Sequence, residues 1–179
     1  MTDAAADGRY VAPARWLHWL TAGSILVILV TGIWFAYLEP PDALKFRLFV
    51  IHESFGVVVF FFALARLWVR RRNPPPPLPA SMPGWQKLAA GVNHGALYVV
   101  MVVQPITGFL ASNAWGFPLK WFWLVTIPSP IGRHETLAPI LGQMHYIGAI
   151  AMLVLLGMHV GAVIQHTFIK KDGLWARMA

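Results

Sequence analysis

The chain has 179 residues, 58% of them hydrophobic and 12% charged, with a formal charge of +7 and no cysteine. The charged fraction is about half that of an ordinary soluble domain, and mean hydropathy is +0.60. Missing cysteine excludes disulfides and thiolate-held iron–sulfur centres. The basic excess flanks apolar runs, which accounts for it without nucleic acid.

The start, "MTDAAADGRYVAPARWLHWL", carries two acids and runs into apolar sequence without a small-residue cleavage pattern. The first span is therefore expected to stay as an anchor. Four apolar stretches follow in order, at approximately 14–38, 49–69, 88–112 and 138–169. Each exceeds the roughly 20 residues that cross a hydrocarbon layer. The loop "LEPPDALKFRL" joins the first two spans. "VRRRNPPPPLPASMPGW" joins the second and third, and its prolines cannot continue a helix. "NAWGFPLKWFWLVTIPSPIGRHETLAP" joins the last two; its aromatic cluster is too interrupted to span and reads as an interfacial segment. Lys45, Arg47, Lys120 and Arg133 fall on one side of this pattern and the other ten basic residues on the opposite side. That bias predicts both termini and the proline-rich loop in the cytoplasm. The expected fold is an all-α membrane protein, a four-helix up-and-down bundle forming one domain over 1–179.

Seven histidines are present. One intramembrane histidine alone is ordinarily a polar contact between helices; the set is more informative. His145 and His159 lie fourteen residues apart, an angular offset of about 40° and an axial rise of ~21 Å on one helix. They share a stripe but cannot share an ion. His18, near the terminal-side start of span one, matches the depth of His159. His52, near the outer start of span two, matches His145. Each pair can clamp one planar metal macrocycle. Zinc ordinarily takes four ligands, with carboxylates or thiolates among them, whereas each depth offers two imidazoles. A proton relay needs closer spacing or a water chain. Haem b held by two neutral imidazoles fits best, which gives two haems b stacked across the bilayer. Gly56, Gly148, Gly157 and Gly161 flank these histidines. They leave room either for a flat ring or for close helix packing.

The segments "LHWL" (17–20), "IHESFG" (51–56), "ARLWVRRRNPPPP" (65–77), "NHGALYVVMVVQPITG" (93–108) and "HYIGAIAMLVLLGMHVGAVIQHTFIKKDGLWARM" (145–178) resemble the bacterial four-helix cytochrome b561 family over nearly the whole chain. The likeness is greatest to its small diheme members that oxidise superoxide and reduce ubiquinone. It implies His18, His52, His145 and His159 as the four haem ligands, an inner-membrane location and a quinone-linked oxidoreductase. Beside these it marks His94 and His166 as candidates to bond a propionate, to line a quinone pocket or simply to face the interface. Arg66 and Arg15 are candidates to pair with a propionate or to snorkel to headgroups. His134, in "RHETLAP", resembles a ligand block of relatives, but only His145 has the fourteen-residue interval to His159. No residue is assigned as catalytic, since filled axial positions favour outer-sphere electron transfer. An anionic donor such as superoxide would be drawn by outer cations; Lys120 and Arg133, near Trp115, Trp121 and Trp123, are the candidates. Glu39, Asp42, Glu53 and Glu135 oppose them, so the outer field is weak by count. The alternative is a cytochrome b subunit relaying electrons between a dehydrogenase, a hydrogenase or a periplasmic carrier and the quinone pool.

Overall fold

The computed structural model describes residues 8–179. Four long helices carry the fold: α1 (Ala12–Tyr37), α2 (Asp42–Arg72), α3 (Gly84–Ala114) and α4 (Leu137–Ile164). Prolines set their starts. Pro13 occupies the first turn of α1, and Pro41 and Pro83 immediately precede α2 and α3. A proline there costs no helical hydrogen bond. α2 opens on Asp42 and closes on Arg70, Arg71 and Arg72, the charge order that a helix dipole favours. Pro74–Pro77 then prevent its continuation.

All four helices are long and apolar enough to cross a membrane, and they form an all-α, membrane-spanning bundle. α2 and α3, at 31 residues each, reach about 46 Å at 1.5 Å per residue. They exceed the apolar stretches because their polar ends remain helical. α4 runs directly into a π-helical turn, Gln165–Lys170, that ends on Lys171 in the left-handed region (φ 53°).

The inside of the bundle is small and weakly polar, while the outside is greasy. Thr21, Ser24, Thr31, Ser54 and Thr107 are buried, while Leu26, Phe61, Val99 and Val154 are exposed. This inversion suits a protein whose solvent is lipid, where small residues let helix backbones approach. The buried hydroxyls are satisfied within their own helices. Ser24 donates to Leu20 O (2.8 Å), Thr31 to Val27 O (2.7 Å) and Ser54 to Val50 O (2.6 Å). Ile25, Val59, Ala63, Leu97, Met101 and Met152 form the central apolar cluster, with contributions from every helix.

α1 packs mainly on α2 and α3 mainly on α4, so the bundle is two helical hairpins, joined chiefly where α2 meets α3. The loop after α3 contains a small hairpin, β1 (Lys120–Trp121) against β2 (Val125–Thr126), antiparallel. Its turn places Phe122 and Trp123 at positive φ (46° and 61°). The Leu124 N–H returns to Trp121 O at 2.9 Å. Phe122 N–H donates to Ser54 Oγ at 2.7 Å, which pins the hairpin to α2. At the opposite end the last turn, Trp175–Arg177, folds over the bundle. Tyr10 N–H donates to Arg177 O (3.0 Å), Trp19 Nε1–H to Met178 O (3.0 Å), and Arg177 to Pro76 O.

Candidate functional site

Six of the seven histidines lie within the helices or the π-helical turn, and five of them gather at two levels. Level one, at the end of the bundle away from the termini, brings together His52 of α2 and His145 of α4. Their ring centroids are 6.1 Å apart and the planes cross at 80°. Each ring is seated the same way. The His52 Nδ1–H donates to Ile28 O of α1 at 2.9 Å, and the ring lies against Gly32 four residues later, where a Cβ would stand 2.8 Å from Cε1. The His145 Nδ1–H donates to Gln104 O of α3 at 3.1 Å. Its ring lies against Gly108, again four residues on and again at 2.8 Å from a Cβ. Each hairpin thus holds one imidazole with a glycine and the carbonyl one turn before it. A proton on Nδ1 leaves the Nε2 lone pair free, and this is how metal-ligating histidines are ordinarily oriented.

Gln104 adds a further tie. Its side-chain N–H donates to His145 O at 2.9 Å, and Oε1 lies where a Cβ on Gly148 would be. Gly148 therefore serves contact between α3 and α4. Around Gly56, Gly157 and Gly161 no atom of another helix lies within 4 Å of a Cβ position, so these glycines do not serve close helix packing. Gly32 and Gly108 are the glycines that the sequence reading missed. Their partners, His52 and His145, lie on the next helix in the chain, and no local pattern marks them.

Level two, toward the termini, gathers His18 of α1, His159 of α4 and His94 of α3. His18 and His159 again have centroids 6.1 Å apart, with planes at 54°. His94 lies edge-on to His159 at 5.3 Å. Arg66 of α2 donates from Nη2 to His18 Nδ1 at 3.1 Å, and its guanidinium lies over the Tyr98 ring.

These distances allow a test of fit. Two imidazoles bound through nitrogen to one metal ion, at roughly 2.1 Å on each side, have centroids about 6.4 Å apart. Both 6.1 Å pairs meet that requirement; His94–His159, at 5.3 Å, is too close. Among the described residues no group of three or more His, Cys, Asp or Glu converges as a bare-metal site. The arrangement suits a flat macrocycle that supplies its own equatorial donors.

The remaining candidates are placed differently from one another. Arg15 donates from Nη1 to Ala179 O at 2.7 Å, while its buried Nε has no partner. His166 is buried in the π-helical turn, and its Nδ1 is hydrogen-bonded to the Asp172 carboxylate. With Ser81, Met82, Pro83 and Lys170 these two line a cavity of about 360 Å³. Burial raises the affinity of Asp172 for its proton, but the hydrogen bonds from His166 and from Leu174 N–H outweigh this and hold the carboxyl below its ordinary range. Lys120 sits over the Phe46 ring at 5.8 Å. Arg133 is paired with Glu135 at 3.5 Å, both exposed. The His134 N–H donates to Ala114 O (2.9 Å), and its Nδ1 accepts from Leu137 N–H (3.3 Å), so it caps the start of α4. Glu53, beside His52, has a buried Oε1 without a hydrogen-bond partner, as have Asn113 at Oδ1 and Trp121 at Nε1.

The model of the prokaryotic cytochrome b561 family matches residues 9–179. The chain belongs to that family. It is 31% identical to cytochrome b561 homolog 2 of Escherichia coli (strain K12), over 95% of this chain and 90% of the relative. Homolog 1 of the same organism is 26% identical, over 95% and 96% respectively. A protein of Yersinia pestis named "Probable superoxide oxidase CybB" is 26% identical, over 90% of each chain. Membership in the cytochrome b561 family gives the general role, electron transfer in a bacterial inner membrane, with oxidoreductase-type activity and haem b as the class of cofactor.

Proposed function

We propose that the chain holds two haems b, one between His18 and His159 and one between His52 and His145, and passes electrons singly between a donor at the loop end and a lipid quinone. The carrying observation is the recurrence at two depths of an imidazole pair at 6.1 Å, each drawn from two different helices. His18 with His159 and His52 with His145 would hold haem, which would supply one-electron chemistry; the chain's residues supply orientation, insulation and charge. The basic residues of α2's last turn and of the π-helical turn support placing the termini in the cytoplasm.

Around this core the other candidates take graded roles. His94 and Arg66 stand at level two, where an anionic propionate would meet them. His166 lines the polar cavity with Asp172, Lys170 and Ser81; this is our candidate for the quinone head group, which needs donors and, on reduction, protons. Arg15 is engaged by the chain's end and is a weaker propionate partner. Superoxide is the donor favoured by the name of the Yersinia pestis relative. Lys120 and Arg133 would guide it. The ion pair of Arg133 with Glu135 favours a second reading, in which a partner protein delivers the electron at this end.

The test is expression with a haem precursor and purification in detergent. Two haems per chain are expected. His18→Ala and His159→Ala each lose one haem, and His52→Ala and His145→Ala each lose the other. Superoxide should reduce a short-chain ubiquinone through the protein, and superoxide dismutase should abolish that reduction. Reduction only with a copurified partner selects the relay reading. Four variants that all retain two normal haems would overturn the ligand assignment.

A further inference from the structure

A file of aromatic rings runs from the loop end of the bundle to level one. Phe117, in the segment between α3 and β1, is 59% exposed. Its ring meets Phe49 of α2 at 6.3 Å, Phe49 meets Phe35 of α1 at 5.8 Å, and Phe35 meets His52 at 5.4 Å, all edge to face. Two cations flank the outer ring of the file. Lys120 lies over Phe46, one turn before Phe49. The aliphatic stem of Arg133 rests on Gly116, beside Phe117. On this convergence, and resting on the two-haem reading above, we infer that Phe117 is the contact point for a small anionic one-electron donor, and that Phe49 and Phe35 fill the path from it to His52.

Charge selects the donor. Lys120 is exposed and, among the described residues, has no ion-pair partner. An anion nearing Phe117 is drawn by it. Glu135 works against this attraction, because it neutralises Arg133 at 3.5 Å. Packing sets the path. A tunnelling rate falls exponentially with distance, and more steeply across gaps than through atoms in contact. Edge-to-face rings at these separations touch, so the file is continuous from the surface to the imidazole. The phenyl rings themselves are neither oxidised nor reduced. One electron leaves the donor, which loses one negative charge, and arrives at the His52/His145 site; no bond forms or breaks and no proton moves. Trp123, 50% exposed, belongs to the hairpin turn, and among the described residues its ring meets no member of the file. It serves as the control.

The chain has no cysteine, so Phe117→Cys supplies a single thiol whose reactivity reads the local field without any redox step. Relative to their rates with a free thiol, an anionic methanethiosulfonate should modify it severalfold faster than a cationic one. Lys120→Gln should lower that preference, Glu135→Gln should raise it, and added salt should shrink it. In the haem-loaded protein, Phe117→Leu and Phe49→Leu should slow reduction by superoxide or ascorbate severalfold, with haem content and absorption spectrum unchanged. Trp123→Leu should leave the rate as it is. A thiol at position 117 that reacts alike with both reagents, or with neither, overturns the inference. So does wild-type reduction of Phe117→Leu, or an equal loss in Trp123→Leu. Haem content other than two per chain in the wild type would instead defeat the two-haem reading, while the thiol measurement would still decide whether an anion is drawn to Phe117.

Discussion

Single residues carry the site's precision. A Cβ at Gly32 or Gly108 would press on an imidazole at 2.8 Å, and that ring is already tied to a carbonyl one turn back. Gly32→Ala or Gly108→Ala should therefore destabilise the protein by about 1–3 kcal/mol through overpacking. Each should also reduce occupancy of the His52/His145 haem while sparing the other, read by pyridine haemochrome and by a thermal melt in detergent. Gly91→Ala meets no neighbour and should be neutral or stabilising by up to about 1 kcal/mol. The histidine pairing was legible because two constraints are local: fourteen residues fix a helical stripe, and distance from a span's end fixes depth. The seats beneath them were not legible, because a glycine declares itself only against the ring it faces, and that ring belongs to another helix. The same holds for Arg66. Its place near the end of span two is plain from the sequence, but its contact with His18 depends on how α1 leans on α2.

Among the elements, the four helices follow directly from hydropathy and proline. Two others do not. The β1–β2 turn uses Phe122 and Trp123 at positive φ, where Asn or Gly would be the usual signal, so "KWFWLVT" hides its hairpin. Its anchor, Ser54, lies on another element altogether. The π-helical turn after α4 is equally silent, since "QHTFIK" reads as continued helix. That turn carries His166, whose bond to Asp172 holds the tail against the bundle. Because the folded carboxyl binds its proton more weakly than the unfolded one, the pair's contribution is present above the ordinary Asp value of about 4 and is lost as pH falls through the lowered folded value. Asp172→Asn should accelerate hydrogen exchange and proteolysis after Ile164 at neutral pH. The difference from wild type should close in strong acid. A difference independent of pH would show that the carboxylate charge plays no part.

For the whole molecule, the charge distribution predicts an orientation. A fluorescent protein fused after Ala179 should fold and glow, and alkaline phosphatase at the same position should be inactive, since that enzyme requires the periplasm. The reverse pattern would invert the direction of electron flow relative to the cell. The division into two hairpins bears on how such a chain is made. α1 and α2 contribute His18 and His52, and α4 contributes both of their counterparts. Neither pair exists until the last helix is threaded into the bilayer, and then both are completed together. During synthesis most of the chain is made before either histidine pair can form. If the two pairs hold haem as proposed, cofactor capture would be deferred to the final step of biogenesis, and a product truncated before α4 would lack both sites.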